Sequence, residues 1–512
     1  MTDSTTQTLD PRRWRALAFI ALAQLMVVLD GTIVNIALPS AQRDLGISDA
    51  NRQWVVTAYA LAFGGLLLFG GRISDRWGRR RAFMIGLVGF AGASALGGAA
   101  VNTTMLLGAR ALQGAFGAIL APAALSLLTV MFTQSKERAK AFGIYGAISG
   151  GGAAIGLILG GVLTEYANWR WTLFVNVAFA VIALFGAVFE IKEPAGSRRS
   201  AKLSVPSILL ACSGLASLVY GFSKAESDGW GSTATLGFLA ASVVLLVVFA
   251  VAQARSQAPL LPLRVVTDRN RGGAYLTIGI SVVGMFGAFL FLTFYLQVVL
   301  GYTPFVSGLA FLPMVVGMML GATQIAVRLL PKVPARFLMV PGGLIAATAM
   351  VMLAHIKVDG SYATLVLPAL FMLGLGMGLV FMPAMNLATL GVKPQDAGVA
   401  SAMVSTSQQV GGAIGTSLLS TIANSATANY VTAHRAGVTS AAGGDLLKAQ
   451  AMVHGFSIAF WCAAGLLTLA AVVAGLLINS RPQVGQHGSG GGSASGGGGA
   501  ESSEDVVPVF AH

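Results

Sequence analysis

Length, composition and charge exclude a water-soluble protein. The chain has 512 residues, of which 55% are hydrophobic and only 10% are charged, whereas globular chains carry about 25% charged residues. So few charges cannot cover a surface that faces water. The mean hydropathy of +0.77 and the 65 glycines, which allow close packing of membrane helices, indicate an integral membrane protein.

The apolar segments predict helices rather than strands. They are continuous and about 20 residues long, the length that crosses a bilayer as an α-helix, whereas the strands of membrane barrels alternate in hydrophobicity. We predict an all-α protein with fourteen transmembrane helices, the first of which is too long for a cleavable signal peptide. The predicted spans are 16–38, 54–71, 82–101, 106–131, 141–164, 170–190, 203–221, 233–254, 273–299, 305–329, 337–355, 361–385, 403–424 and 455–478.

The cations give the orientation of these spans. With the N-terminal segment 1–15 in the cytoplasm, most of the 32 Lys and Arg residues fall in cytoplasmic loops, as the positive-inside rule requires. The net charge of +13 therefore reflects membrane topology, and we expect no nucleic-acid partner. The Gly/Ser-rich segment 482–512 is predicted to be a disordered cytoplasmic tail.

Two ionisable residues, Asp30 and Arg110, lie inside predicted spans, where a charge costs at least ~2.5 kcal/mol. Measured from the same membrane face, Asp30 lies roughly 12 Å deep and Arg110 roughly 6–9 Å deep, at about 1.5 Å per helical residue. Their side chains can therefore meet. One interpretation is a structural ion pair between two helices. The other is a proton site, in which Asp30 takes up a proton under the influence of Arg110.

Glycines recur along the fifth span, several at a spacing of four. Close helix packing accounts for this spacing. A bend, or a tight seal between the two halves of a moving transporter, accounts for it equally well. The glycines are Gly146, Gly150, Gly151, Gly152, Gly156, Gly160 and Gly161.

The sequence does not indicate an enzyme. The five histidines are scattered over helix ends, loops and the tail, and the spans contain no paired carboxylates and no nucleophile–base pair. Cys212 and Cys462 both lie in apolar runs, so neither a disulfide framework nor a Cys/His metal site is predicted. We expect no metal and no cofactor.

Three motifs resemble those of a known transporter family. The segments are LDGTIVNIALP at 29–39, GRISDRWGRRR at 71–81 and RALQG at 110–114. They resemble the first-helix signature, the cytoplasmic loop motif and the fourth-helix arginine motif of the major facilitator superfamily. Together with fourteen spans they resemble its drug:proton antiporter branch, the multidrug efflux branch, up to about residue 480.

The resemblance implies a fold of two six-helix bundles, 16–190 and 273–478, with two additional transmembrane helices at 203–254. The substrate path would run between the bundles near mid-membrane. It also implies that Asp30 and Arg110 couple transport to protons.

The loop motif implies a conformational latch, a set of contacts that holds the cytoplasmic face closed in the outward-open state. Asp75 would face the N-terminus of a helix in the other bundle and interact with its dipole. The neighbouring arginines would pair with acids such as Glu137. The alternative is that the arginines only anchor the topology. The predicted latch residues are Gly71, Asp75, Arg76, Gly78, Arg79 and Glu137.

The fifth span departs from the family pattern. The antiporter motif usually contains Gly-Pro before its paired glycines, and Leu157 stands at the proline position here. Since proline would favour a kink, any bend must come from glycine. The antiporter-like motif residues are Gly152, Gly156, Gly160 and Gly161.

Apolar side chains on the ninth span suit an amphipathic organic substrate, although packing against neighbours or lipid explains them as well. The spans hold no clear carboxylate besides Asp30, so a deep acidic site for a cationic substrate is not predicted. The candidate cavity residues are Asn35, Gln113, Met285, Phe289, Tyr295, Gln297 and Gln408.

These observations predict a proton-coupled antiporter that exports amphipathic drugs or antibiotics across the bacterial inner membrane by alternating access. It would be driven by the proton gradient and act as a monomer, with a small amphipathic substrate, protons and membrane lipid as its partners. The alternatives are a transporter of lipids or lipid precursors between leaflets and a proton-coupled uptake symporter.

Overall fold

The structure is a computed structural model, and it describes residues 12–47, 54–191, 204–256, 259–393, 396–434 and 441–480. Within these ranges the chain forms helices, turns and loops, without a β-strand. The predicted tail at 482–512 and most of the segment 1–15 lie outside the described residues.

The first six helices form one bundle. A left-handed glycine, Gly46 (φ +62°), ends α1, and Gly78 (φ +98°) turns the chain from α2 into α3. The Asn102 side chain caps α4 by accepting from the backbone N–H of Met105 (2.9 Å). The bounds are α1 Arg13–Leu45, α2 Trp54–Trp77, α3 Arg79–Gly98, α4 Thr103–Met131, α5 Ser135–Tyr166 and α6 Trp171–Phe189.

The last part of the chain forms a second bundle, whose helices are interrupted by π-helical turns, the wider helical form in which each N–H bonds five residues back. It comprises α10 Arg269–Phe294 with π-helical Tyr295–Val299, α11 Pro304–Ala310, α12 Leu312–Met319 with π-helical Leu320–Ala326, α13 Val327–Leu329, α14 Arg336–Leu353, π-helical Tyr362–Val366 leading into α15 Leu367–Thr389, α16 Ala397–His434 and α17 Ala441–Leu477. Helices α16 and α17 therefore extend well into a stretch that hydropathy alone assigns to a loop.

Glycine allows helices to touch at equivalent places in the two bundles. In the first bundle, a Cβ at Gly70 of α2 would overlap the carbonyl oxygen of Ala118 of α4. In the second, a Cβ at Gly374 of α15 would overlap the carbonyl oxygen of Met314 of α12. Such backbone proximity is the usual reason for small residues in membrane helices.

Helices α7 (Val205–Asp228) and α8 (Thr233–Arg255) join the bundles, followed by the short α9 (Leu263–Thr267). Helix α7 covers the line along which α2 and α16 meet: a Cβ at Gly64 would lie 3.1 Å from both Val219 of α7 and Gln409 of α16. The side chain of Ser417 on α16 also donates to the Phe222 carbonyl of α7 (2.5 Å).

Twelve helices of the described chain are long and apolar enough to cross a membrane. Helices α5 and α16 are longer than most of these and are not among the twelve. Both pack between other helices, α5 against α1 and α15, and α16 against α2 and α10.

Candidate functional site

A buried ion pair lies inside the first bundle. Arg110 Nη1 of α4 donates to Asp30 Oδ2 of α1 at 2.6 Å, and the two side chains are 1% and 0% exposed. Arg110 Nε also donates to the Val55 carbonyl at the start of α2 (3.2 Å). Asp30 and Arg110, which the sequence places at similar depths, are therefore in contact.

Three neutral side chains complete this cluster. Gln113 Nε2 (3.0 Å) and Asn176 Nδ2 (2.7 Å) both donate to Asp30 Oδ1. The same two amide groups donate to the hydroxyl of Ser94 (2.8 and 3.0 Å), which in turn donates to a carbonyl of α6. The Asp30 carboxylate therefore accepts three hydrogen bonds, two from side chains of α4 and one from a side chain of α6.

The cluster stabilises an ionised carboxylate in surroundings that exclude water. All its members are buried, and the Arg110 guanidinium also lies 4.4 Å from the ring centre of Tyr59. A buried charge persists when it is both paired and hydrogen-bonded. One acceptor remains unused: Asn176 Oδ1 is buried and has no hydrogen-bond partner within the described ranges.

Three residues of this cluster change the sequence-based assignment. Gln113, predicted to line a substrate cavity, is fully buried and bonded to Asp30 and Arg110. Sequence reasoning does not select Ser94 and Asn176 as site residues, because a neutral polar residue in an apolar span usually signals only helix packing. Their positions on the faces of α3 and α6 that point towards Asp30 are the signal that could have identified them.

The predicted latch residue Asp75 lies at the end of α2 and contacts the second bundle. Its Oδ1 accepts from the backbone N–H of Gly398 (2.8 Å) and its Oδ2 from that of Val399 (3.2 Å). These groups belong to the first turn of α16, where backbone N–H groups lack helical partners and attract negative charge. Gly71 makes this possible, because a Cβ there would lie 2.6 Å from both Ala402 Cβ and the Gly398 carbonyl.

The membrane face that carries Asp75 is called the basic face below, since it also carries Arg72, Arg79 and Arg138. Arg79 is completely buried; it donates to the Ser126 hydroxyl (2.6 Å) and to Asp75 (3.4 Å). Arg72 lies 3.8 Å from Asp396, just before α16.

The sequence-based partner of Glu137 is corrected by the structure. Its carboxylate accepts two bonds from Arg13 Nη2 of α1 (2.6 and 2.8 Å), rather than from an arginine of the loop motif. Arg76, also assigned to the latch, is exposed and makes no ion pair in the part of the chain that the structure describes. Glu137 thus binds α1 rather than the loop motif.

Arg138, the residue after Glu137, makes a second connection between the bundles. Its side chain is 5% exposed and donates to Asn386 Oδ1 (2.7 Å) and Thr389 Oγ1 (2.7 Å) of α15. It also donates to the Thr129 carbonyl (3.1 Å) of its own bundle. Sequence reasoning counted it only as one more cytoplasmic cation. At the basic face the bundles are therefore joined through both α15 and α16.

The glycines of α5 lie on two faces with different neighbours. A Cβ at Gly152, Gly156 or Gly160 would meet α1 of the same bundle, at Val28 (3.1 Å), at Thr32 Oγ1 by overlap and at Ile33 (2.9 Å). By contrast, a Cβ at Gly143 would lie 2.9 Å from the Ala322 carbonyl of the second bundle, and one at Gly151 3.2 Å from Val315. Gly161 is buried. The motif glycines pack α5 within its bundle, and other glycines bring it close to the second bundle.

The remaining cavity candidates are dispersed. Phe289 packs on Phe311 with ring centres 4.9 Å apart, and the half-buried Met285 packs against the core of the second bundle. The Tyr295 hydroxyl donates to the Lys357 carbonyl (2.8 Å) near the face opposite the basic face. Gln297 and Gln408 are half-buried. The side chain of Asn35 lies outside the described residues.

Comparison with known proteins places these features in context. Residues 20–416 match the Major Facilitator Superfamily. The chain is 51% identical over 476 residues to the puromycin resistance protein pur8 of Streptomyces alboniger, covering 93% of each chain. It is 38% identical to the cephamycin export protein CmcT of Amycolatopsis lactamdurans (80% of this chain and 85% of that protein).

Two further similarities extend over most of the chain. The multidrug efflux pump LfrA of Mycolicibacterium smegmatis is 33% identical over 82% of each chain. The solved structure of the human organic anion transporter MFSD10 superposes with a TM-score of 0.61 at 16% sequence identity, covering 91% of this chain and 99% of that one. The latter similarity concerns the fold.

Proposed function

Since the chain belongs to the Major Facilitator Superfamily, we propose that it is a proton-coupled antiporter that exports amphipathic drugs or antibiotics by alternating access. The observation that carries the proposal is the buried cluster in which Asp30 is bonded by Arg110, Gln113 and Asn176. An ionisable group inside the membrane region is costly, and it marks an ion or proton path in many transporters.

Protonation of Asp30 changes the forces between three helices. The ionised carboxylate attracts Arg110 of α4 and accepts the amide of Asn176 of α6. A proton removes the charge, so both interactions become weaker. The carboxylic acid also becomes a donor, and Asn176 Oδ1, which has no partner in the described chain, is an acceptor within the same cluster. Proton uptake therefore favours a different arrangement of α1, α4 and α6.

The contacts at the basic face connect the protonation of Asp30 to the transport cycle. The positive-inside rule assigns the basic face to the cytoplasm, and Asp75 and Arg138 join the bundles there. An arrangement closed at the cytoplasm corresponds to the outward-facing state of the cycle, in which Asp30 takes its proton from outside. Substrate arriving from the cytoplasm or inner leaflet then competes with the proton and favours the return.

The topology proposed for this cycle has fourteen transmembrane helices, with α5 and α16 added to the twelve apolar ones. Both helices are long enough to cross a bilayer and pack among other helices, α5 against α1 and α15 and α16 against α2 and α10. The proposed domains are the bundles 16–190 and 273–478 with the helices of 203–254 between them. We propose a location in the bacterial cytoplasmic membrane, with both termini cytoplasmic, and a monomer without a metal or cofactor.

The names of the relatives and the apolar helices support a substrate class. The names of three relatives refer to puromycin resistance, cephamycin export and multidrug efflux. These are organic molecules of moderate size with polar and apolar parts. We propose that this chain moves substrates of the same kind, with puromycin as the first compound to test.

Proteoliposomes with a trapped pH-sensitive dye test the proposal. With an imposed proton gradient, puromycin or another substrate is expected to trigger proton movement opposite to its own. Asp30→Asn should abolish it. The control is Asp44→Asn, since Asp44 lies on the same helix but half-exposed, paired with Arg170 at 2.8 Å.

Other results would replace the proposal. Proton and substrate movement in the same direction would indicate a symporter. Transfer of labelled lipid between leaflets, with no compound moving protons, would indicate a lipid transporter. Full proton coupling in Asp30→Asn would exclude Asp30 as the coupling site.

A further inference from the structure

The turn between α2 and α3 carries more positive charge than its contacts within the protein use. Arg72, Arg79 and Arg80 each donate hydrogen bonds to acceptors elsewhere in the fold. Arg76 and Arg81 are exposed, and neither has a hydrogen bond or an ion pair within the described ranges. Two guanidinium groups of the motif are thus available to a ligand from outside the protein.

These two arginines share one open cleft. Its volume is about 440 Å³, and its lining consists of Arg76, Arg81, Trp77 and Ile85. The apolar members are accessible as well: Trp77 is 46% exposed and Ile85 is 41% exposed. Trp is frequent where the headgroups of a membrane meet its hydrocarbon region. The cleft therefore combines two cations with two apolar side chains at the basic face.

The surface of α3 continues from the cleft into the hydrocarbon region. Beyond Ile85, the exposed residues Val88 (56%) and Leu96 (46%) follow at helical spacing on the same side. A Cβ at Gly92, between them, would meet nothing within 4 Å. In a helix that spans a membrane, such an apolar stripe faces lipid. A ligand in the cleft can thus have its polar part on the arginines and its apolar part along α3.

We propose that this cleft binds an anionic phospholipid of the leaflet at the basic face. Arg76 and Arg81 hold the phosphate of its headgroup, Trp77 lies at the level of the glycerol, and the acyl chains run along α3. Guanidinium groups bond phosphate oxygens in pairs, and anionic lipids are attracted to cations next to a membrane helix. Free phosphate would satisfy the arginines but would leave the apolar wall unused.

Native mass spectrometry of the purified chain in detergent tests the proposal. Phosphatidylglycerol and phosphatidylcholine with the same acyl chains are titrated separately, and inorganic phosphate is added as a competitor. Phosphatidylglycerol is expected to bind more tightly. The double variant Arg76→Gln, Arg81→Gln should weaken its binding by about 30-fold, since each cation near anionic lipid contributes roughly a factor of five.

The matched control removes two other exposed cations on the same face. The double variant Arg255→Gln, Lys332→Gln has the same change of net charge, and both side chains are exposed. It should bind phosphatidylglycerol like the unmodified chain. If the control weakens binding as much as the cleft variant does, net charge explains the binding and the proposal is wrong.

Tryptophan quenching in vesicles gives an independent readout on folded protein, with folding checked by size-exclusion chromatography. The chain has 7 Trp residues, so the difference between it and Trp77→Phe isolates the signal of Trp77. Brominated phosphatidylglycerol should quench this signal more than brominated phosphatidylcholine, and the excess should vanish in Arg76→Gln, Arg81→Gln. Equal quenching by the two lipids, or complete competition by inorganic phosphate, would overturn the proposal.

Discussion

Asn176 donates to Asp30 Oδ1 at 2.7 Å while its own amide oxygen, also buried, has no hydrogen-bond partner within the described ranges. A buried polar atom without a partner costs about 1–3 kcal/mol. When Asp30 is ionised, the amide nitrogen of Asn176 therefore makes hydrogen bonds, whereas its oxygen makes none within the described ranges. In the protonated state its oxygen can accept the new O–H. The residue is suited to both charge states of the site.

Replacing Asn176 with leucine should change the pH dependence of transport. Asn176→Leu removes a donor to the ionised carboxylate but keeps the size of the side chain. The bond that Asn176 donates to the charged carboxylate is stronger than the neutral bond that it would accept from the carboxylic acid, so the variant loses more in the charged form and the pH of half-maximal proton-coupled transport should move up. Transport rates in proteoliposomes, recorded from about pH 5 to about pH 9, measure this shift.

The control for this variant is Thr277→Val, which removes a buried hydroxyl that, among the described residues, bonds only to its own helix (2.7 Å to the Gly273 carbonyl). Its pH profile should match that of the unmodified chain. An unchanged profile in Asn176→Leu, with transport intact, would mean that Asn176 does not sense the charge of Asp30.

The ion pair between Asp30 and Arg110 should matter for stability as well as for transport. Arg110→Gln leaves a buried carboxylate without its cation, which should lower the free energy of unfolding by about 3 kcal/mol. Adding Asp30→Asn removes the uncompensated charge and should restore most of this loss. Thermal unfolding of the single and double variants in detergent gives the coupling energy. Additive losses would show that the two side chains do not depend on each other.

Weakening Asp75 should open the basic face. Asp75→Asn replaces a charged acceptor of two backbone N–H groups with a neutral amide, so the population opened at this face should rise about tenfold. A cysteine at Ala402, which is buried beside Gly71, reports opening through its rate of maleimide labelling. The background is Cys212→Ser, Cys462→Ser, which removes both native cysteines.

Arg138 provides the comparison for Asp75. It joins the bundles through α15 instead of α16, so Arg138→Gln should raise the same labelling rate, and the two effects should multiply. If labelling stays slow in both variants, contacts elsewhere keep the basic face closed.

A methyl group at Gly156 should disturb the packing of α5 on α1. The added Cβ would overlap Thr32 Oγ1, so Gly156→Ala should destabilise the protein by about 1–3 kcal/mol. Thr32→Ala in the same chain removes the overlapping atom and should recover part of the loss. Gly92→Ala is the control because it meets nothing within 4 Å. Equal thermal stability of Gly156→Ala and Gly92→Ala would contradict the close packing.

The sequence was sufficient for the helices and for the ion pair. Continuous apolar segments gave the positions of the twelve candidate spans in the described chain, whereas the predicted number of fourteen stays a prediction. The cost of burying a charge drew attention to Asp30 and Arg110. The close approach of Asp75 to another helix followed from the resemblance of its motif. In each case the feature depends on charged or apolar side chains, for which the free energy of transfer between water and membrane is large.

The rest of the site depends on the faces that helices present to one another. Span boundaries are uncertain by a few residues, and two residues rotate a helix face by more than half a turn. Gln113 therefore could not be assigned to the ion pair instead of a cavity, nor Glu137 to Arg13. Glycine spacing alone likewise gave no means of deciding which neighbour each face of α5 would meet.

Helix α7 has a consequence for how a membrane-dissolved molecule reaches the space between the bundles. It lies over the line where α2 and α16 meet, and it is bonded to both, through Thr57 with Ser223 (3.4 Å) and through Ser417 with Phe222 (2.5 Å). A compound diffusing in the bilayer plane is blocked on that flank. The other flank, where α5 packs against α11 and α12, has no such helix over it in the described chain, so we expect a compound in the lipid to enter there.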